Sequence, residues 1–150
     1  MQYWDLIEPY WDEFPVHKGA EEFQRQYEKT PEAVRNLLAA HWCQSELNSG
    51  GFYDFFQNNA GVLAPEAAAA FAAIGLPRLA ALVKEAMSYL GAQYPRDRQV
   101  RMEALKRLSS FSSVNPGAVF ARLDDEFRSV AVQWQRHANA YAAKHSAQSG

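Results

Sequence analysis

Two carboxylates that could carry out acid–base chemistry, Glu46 and Asp54, lie on either side of Gly50 and Gly51. Because successive glycines permit a sharp reversal of the chain, the two side chains can approach each other across the turn. Two asparagines in the same stretch would add polar groups to that corner. One hypothesis is therefore a small-molecule or enzymatic site built on residues 46–58.

The same stretch is also typical of a purely structural helix–turn–helix corner. Asn48 and Asn58 can hydrogen-bond turn backbone, and Glu46 can cap freed backbone amides. Three aromatic rings follow the glycines at helical positions i, i+3 and i+4: Phe52, Phe55 and Phe56. This spacing places the rings on one face and predicts that they pack into a core, with the amides satisfied by backbone.

No other spacing in the sequence favours catalysis or a metal. His41 and Cys43 are two residues apart, so they point to nearly opposite sides of a helix. Asp124-Asp125-Glu126 lacks the glycine and the alternating oxygen ligands of a calcium loop, and it is predicted to be the solvated side of a helix. The sequence has no phosphate-binding loop, dinucleotide fingerprint, nucleophile elbow or zinc-protease helix. We therefore predict a protein without enzymatic activity, metal or cofactor.

The elements that position these residues are predicted to be helices. Among 150 residues there are 25 alanines but only 12 valine, isoleucine and threonine residues, a balance that favours helices over strands. The fold class predicted is all-α, a compact single-domain bundle of about six to eight helices. Proline and glycine positions, including Asn115-Pro116 before the last helix, place the helices near 3–13, 20–28, 31–47, 52–58, 65–74, 77–93, 98–109 and 116–143.

The chain divides into an acidic, aromatic N-terminal arm at residues 1–29, a helical core domain at 30–145 and a frayed tail at 146–150. A lone cysteine fits a reducing compartment. No stretch approaches the roughly 20 uninterrupted apolar residues of a membrane span, and the first residues lack the features of a signal peptide. These observations predict a cytoplasmic protein that does not bind a membrane.

The arm carries an excess of acids. Residues 1–32 hold eight acids against three bases, a net charge of −5, whereas the remainder has a net charge of +3. At about one charge per 1.7 Å of duplex axis, eight charges would imitate only about 14 Å of DNA. Six of the acids are candidate partner-binding residues: Asp5, Glu8, Asp12, Glu13, Glu21 and Glu22. The alternative is that they form the solvated face of the N-terminal helices.

Aromatic residues interleave with these acids, and they suit either burial against the body or anchoring to a protein partner. Cations cluster later in the chain and are predicted to form the polar side of an amphipathic helix: Arg96, Arg98, Arg101, Lys106 and Arg107. A sequence pI of about 6.1 argues against direct nucleic-acid binding. A basic face that meets the acidic arm of a second copy would allow a homodimer.

The stretch around the two glycines resembles the signature of a bacterial all-helical family whose best-known type is a DNA-mimic protein. The matching residues are Glu46-x-Asn48-x-Gly50-Gly51-Phe52-x-x-Phe55-Phe56-x-Asn58. Asp54 departs from the glutamine usual in that family. The resemblance covers roughly residues 30 to 130 and implies an all-α fold. It also implies a non-enzymatic interaction protein that blocks a DNA-binding regulator through an acidic face.

A second hypothesis assigns the chain to another class of interaction protein. An immunity or antitoxin-like inhibitor would plug the active site of a toxin, with the aromatic residues of the arm as its anchors. The corner at residues 46–58, as a small-molecule or enzymatic site, remains the third hypothesis.

Overall fold

The structure is a computed structural model that describes residues 1–109 and 117–149, and within these ranges it contains helices and no strand. The α-helices are α1 (Tyr3–Ile7), α2 (Ala20–Lys29), α3 (Glu32–Gln57), α4 (Ala64–Ile74), α5 (Pro77–Ser88), α6 (Arg98–Ser109), α7 (Ala121–Val130) and α8 (Trp134–Ser149). Short 3-10 turns occur at Glu8–Tyr10, Asn59–Leu63, Ala118–Phe120 and Ala131–Gln133. The all-α prediction is confirmed.

Two of the predicted N-terminal and central helices are shorter in the structure. The helix predicted over 3–13 ends at Ile7, because Pro9 lies in a 3-10 turn that follows it. The helix predicted over 77–93 ends at Ser88, and the chain then turns toward Gly91, whose φ is +129°. Only glycine adopts such a backbone conformation readily.

The single helix predicted over 116–143 is wrong, because α7 and α8 are separated by the 3-10 turn Ala131–Gln133. No proline or glycine stands at this turn, so the interruption leaves no mark in the sequence. Helix α8 runs on to Ser149 and overlaps the tail that is predicted to fray. The predicted start at Asn115-Pro116 lies outside the described residues.

Helix α3 is the central element, and it contacts α1, α4, α6, α7 and α8. Leu37, Leu38 and Cys43 on α3 are completely buried. Ile7 and Phe23 from the N-terminal arm are also completely buried and belong to the same hydrophobic core. The arm is therefore packed against the body of the molecule.

A buried arginine holds the C-terminal end of α3 against α6. The Arg101 guanidinium donates hydrogen bonds to the carbonyl oxygens of Phe56 at 2.5 Å, Asn58 at 2.8 Å and Arg96 at 2.8 Å. The last turn of a helix leaves carbonyls without partners at the negative end of its dipole, so a cation suits this position. The prediction that Arg101 lies on the polar side of an amphipathic helix is wrong, since its side chain is 0% exposed.

Other cations of the same cluster also bind backbone or acids within the fold. Arg98 donates to the Gln57 carbonyl at 2.9 Å, and Arg96 forms a bidentate ion pair with Glu66, each bond 2.8 Å long. A Cβ atom at Gly61 would lie 2.7 Å from the Arg101 side chain, so glycine is required for this close approach. Much of the predicted basic face therefore serves to fix the segment after α3.

We expect Arg101→Met to lower the free energy of unfolding by about 3 kcal/mol or more, because it leaves buried carbonyls without a donor. Arg98→Met is the matched control. Its guanidinium is exposed, so water can replace the bond to the Gln57 carbonyl and the expected loss is under about 1 kcal/mol. Urea denaturation followed by circular dichroism measures both values, and equal losses would contradict the role assigned to Arg101.

Candidate partner-binding surface

Hydrogen bonds fasten the start of the arm to α3 and α8. The Tyr3 backbone N–H donates to Asn139 Oδ1 at 2.7 Å. The Tyr3 hydroxyl lies 2.8 Å from His41 Nδ1 and 3.3 Å from Trp134 Nε1. With Ile7 completely buried nearby, these bonds hold α1 in one position on the body.

Burial favours the neutral form of His41, because it lowers the pKa of the imidazole. An indole N–H can only donate, so Trp134 donates to the Tyr3 hydroxyl oxygen. The hydroxyl proton of Tyr3 is then available to His41 Nδ1, which is an acceptor in one tautomer of the neutral ring.

Aromatic rings extend this attachment along the arm. Trp11 stacks on Trp42 with ring centroids 5.1 Å apart and planes 6° apart, and its edge meets His41 at 5.4 Å. The alternative that the interleaved aromatic residues pack against the body holds for most of them. Trp4 and Tyr10 keep 36% and 39% of their surface exposed.

The predicted acids lie on the outside of the arm. Glu22 is half-buried and pairs with Arg25, whereas the others are exposed: Asp5, Glu8, Asp12, Glu13 and Glu21. In the part of the chain that the structure describes, these five carboxylates have no salt bridge. Acids on later helices do pair with arginines, as Glu66 does with Arg96 and Glu126 with Arg78. The arm therefore presents five carboxylates that no described lysine or arginine pairs at salt-bridge distance, although Lys18 and Lys29 line depressions beside Glu21 and Glu13.

The acids are spread along the arm and do not converge on one point. Asp5 lines a depression between α1, α3 and α8, and Glu13 lines another between residues 10–15 and the end of α2. Glu21 and Glu22 line a third depression together with Asp97. Asp97 also caps α6, since its Oδ1 accepts the Val100 N–H at 3.0 Å.

The glycine corner of α3 is a kink at one residue. Gly51 has φ +81° and ψ −175°, and the helix resumes at Phe52. The freed Phe52 N–H donates to Asp124 Oδ1 of α7 at 2.8 Å, so a residue distant in sequence caps the second segment. The prediction that Asp124 belongs to a solvated helix side is wrong, because its side chain is half-buried.

Burial raises the pKa of Asp124, and the nearby carboxylate of Asp54 adds to that shift, while the bond from Phe52 opposes it. Both carboxylates line a surface depression beside Gly50 and Gly117. The carboxylate pair at this corner is thus Asp54 and Asp124. Among the residues described, no three His, Cys, Asp or Glu side chains form a group suited to a metal.

The remaining corner residues have structural partners. Phe52, Phe55 and Phe56 are completely buried, which confirms the predicted aromatic packing. Asn58 Nδ2 donates to Glu46 Oε2 at 2.9 Å, and Asn48 Nδ2 donates to Gln44 Oε1 at 2.9 Å. The prediction that these amides bond to backbone is wrong, because a one-residue kink leaves no open turn for them to satisfy.

Comparison with known proteins finds one family model, described as DMP19-like protein, which matches residues 28–145. No curated protein and no solved structure matches the chain. The matched region begins near the end of α2, so the six predicted acids of the arm precede it. Within residues 1–109 and 117–149, no helix combines the length and apolarity needed to cross a membrane.

Replacement of Gly51 by alanine tests the kink, with Gly19 as a matched control. Both residues have positive φ and nearly extended ψ, so alanine is expected to cost about 1–3 kcal/mol of backbone strain at either site. A Cβ at Gly51 would also lie 2.7 Å from Asp124 Oδ2, whereas nothing lies within 4 Å at Gly19.

We therefore expect Gly51→Ala to cost about 1 kcal/mol more than Gly19→Ala in urea denaturation, because it also displaces the cap on Phe52. In an Asp124→Ala background that extra cost should disappear. An extra cost that persists without the Asp124 carboxylate would refute the capping role.

Acidification tests the attachment of the arm through His41. Since folding lowers the pKa of His41, its contribution to stability is complete above the ordinary value of about 6.5 and is lost as the pH falls toward the folded-state pKa. Between pH 7.5 and pH 5.5 the protein should lose up to about 1.4 kcal/mol more than His41→Asn, which keeps an acceptor for Tyr3 and does not titrate. Parallel stability profiles for the two proteins would exclude His41 as the titrating group.

Proposed function

The chain belongs to the family of DMP19-like proteins, which is named after a DNA-mimic protein, and from this premise we propose that it blocks a DNA-binding protein through the acidic face of its arm. The observation that carries the proposal is a set of exposed carboxylates that form no salt bridge with any described residue: Asp5, Glu8, Asp12, Glu13 and Glu21. In this proposal they occupy positions where the partner expects DNA phosphates.

The way the arm is attached supports the proposal. A mimic must present its charges at fixed positions, because ordering a loose segment on binding would weaken the complex. The Tyr3 hydroxyl beside His41 and the Tyr3 N–H bond to Asn139 already fix α1 on the body. The carboxylates therefore meet a partner with little further loss of conformational freedom.

The amount of charge limits the surface that is imitated. Five unpaired carboxylates at the charge density of duplex DNA correspond to only about 9 Å of the helix axis. The acidic face therefore imitates only part of one DNA half-site, and the partner would use only part of its DNA-binding surface to contact it. Binding of this kind depends on ionic strength, since exposed charges are screened by salt.

In this proposal the chain has no enzymatic activity, binds a protein partner in the cytoplasm and does not contact nucleic acid directly. The packing of the arm favours this proposal over the antitoxin-like alternative. Aromatic residues expected to anchor a toxin lie largely against the body, and of those in the arm Trp4 and Tyr10 are the most exposed. The exposed side of the arm is characterised mainly by its carboxylates.

A capture experiment with two charge-reversal variants tests the proposal. The wild-type chain is the bait in a lysate of its native host, at low and at high salt, with and without added duplex DNA. We expect a DNA-binding protein to be captured at low salt, lost at high salt and displaced by the duplex. Glu8→Lys/Glu13→Lys should weaken that capture by about tenfold or more.

The matched control is Glu103→Lys/Asp125→Lys, which changes the net charge by the same amount at exposed positions outside the arm. It should capture the partner as the wild type does. Capture that is insensitive to both variants would overturn the acidic-face proposal. A partner retained at high salt and not displaced by duplex DNA would instead support the antitoxin-like alternative.

A further inference from the structure

The depression between α1, α3 and α8 combines aromatic rings, one carboxylate and side-chain amides. It has a volume of about 450 Å³, which is enough for a long side chain. Its lining includes Tyr3, Trp4, Asp5, Gln44, Trp134 and Gln135. No lysine or arginine lines it, so the site does not suit an anion.

Several of its polar atoms are acceptors with free lone pairs. Asp5 Oδ2 accepts the Gln2 backbone N–H at 3.2 Å, and Asp5 Oδ1 has no hydrogen-bond partner among the described residues. Gln135 Nε2 donates to Gln2 Oε1 at 3.3 Å, which leaves Gln135 Oε1 as a further acceptor. Gln44 Oε1 accepts one bond from Asn48 and retains a second lone pair. These three acceptors suit a ligand that only donates hydrogen bonds.

The aromatic wall favours a flat cation. The Trp4 ring centroid lies 5.1 Å from that of Trp11 and 5.6 Å from that of His41, and Trp4 lines the depression with 36% of its surface exposed. Tryptophan faces attract cations, and a planar guanidinium can stack on such a ring. Its N–H groups then point outward in the guanidinium plane, where they can donate hydrogen bonds to neighbouring acceptors. An ammonium group has no comparable plane.

We propose that this depression binds the guanidinium of an arginine side chain on the partner protein, stacked on Trp4 with Asp5 as its counterion. The inference rests on the proposed function, because arginines that hold DNA phosphates are the side chains that a DNA mimic must engage. Gln44 and Gln135 accept the remaining guanidinium N–H groups. Asp5 thus takes the place of one phosphate, and the amides select arginine over lysine.

Titration with blocked amino acids tests the site on the full chain. N-acetyl-arginine amide and N-acetyl-lysine amide are added separately, and NMR follows the Trp4 indole and the Gln44 and Gln135 side-chain amides. We expect the arginine probe to shift these signals and to bind about threefold or more tightly than the lysine probe. Absence of shifts at Trp4 and Gln135, or equal binding of the two probes, would overturn the proposal.

Two variants make the test specific. Asp5→Asn keeps an acceptor for the Gln2 N–H but removes the counterion, so it should weaken arginine binding by about fivefold or more. Asp125→Asn is the same chemical change on α7, at a side chain that is 83% exposed, and should leave binding unchanged. Equal binding by Asp5→Asn and the wild type would refute the role of Asp5.

Failure of the arginine site is distinguishable from failure of the proposed function. Glu8 and Glu13 do not line this depression, so their reversal tests the acidic face separately. If Glu8→Lys/Glu13→Lys releases the partner but the arginine probe does not bind, the arginine site falls and the proposed function stands. If the arginine probe binds but Glu8→Lys/Glu13→Lys captures the partner as the wild type does, the arginine site stands and mimicry by the acidic face is refuted.

Discussion

The bend of α3 at Gly51 is the constraint around which the other helices are arranged. A non-helical residue inside a central helix frees a backbone N–H, and Asp124 of α7 accepts it at Phe52. The carbonyls at the end of the same helix are satisfied by Arg101 of α6. Both ends of the short segment after the bend are thus completed by charged side chains from other helices. Side chains of α6 and α7 therefore stabilise the bend and the end of the central helix, which links local structure to the packing of the bundle.

Patterns that act within one helix were predictable from the sequence. The spacing of Phe52, Phe55 and Phe56 and the glycines before them indicated both the break and the buried face. Arg101 and Asp124 were missed because their partners lie 45 and 72 residues away. Periodicity assigns a charged residue to the solvent side by default, and it contains no information on carbonyls that another helix leaves unsatisfied.

At the candidate surface, too, the sequence identified the residue types but not the contacts between residues that are far apart in the chain. Residue types identified the acids of the arm, but whether a carboxylate remains unpaired depends on where every arginine lies after folding. The attachment through Tyr3 joins residues 38 and 136 positions apart, at His41 and Asn139. The family match begins at residue 28, so it defines the body and leaves the arm to be interpreted from its own charges and contacts.

The attachment of α1 to α8 also has a consequence during protein synthesis. A ribosome makes the arm first and Trp134 and Asn139 more than 130 residues later, so the arm has no complete docking site while the chain between them is being made. Before α8 emerges, the arm can already contact His41 and Trp42 of α3, but it lacks its bonds to Trp134 and Asn139. The attachment of α1 is therefore completed only after α8 has been translated.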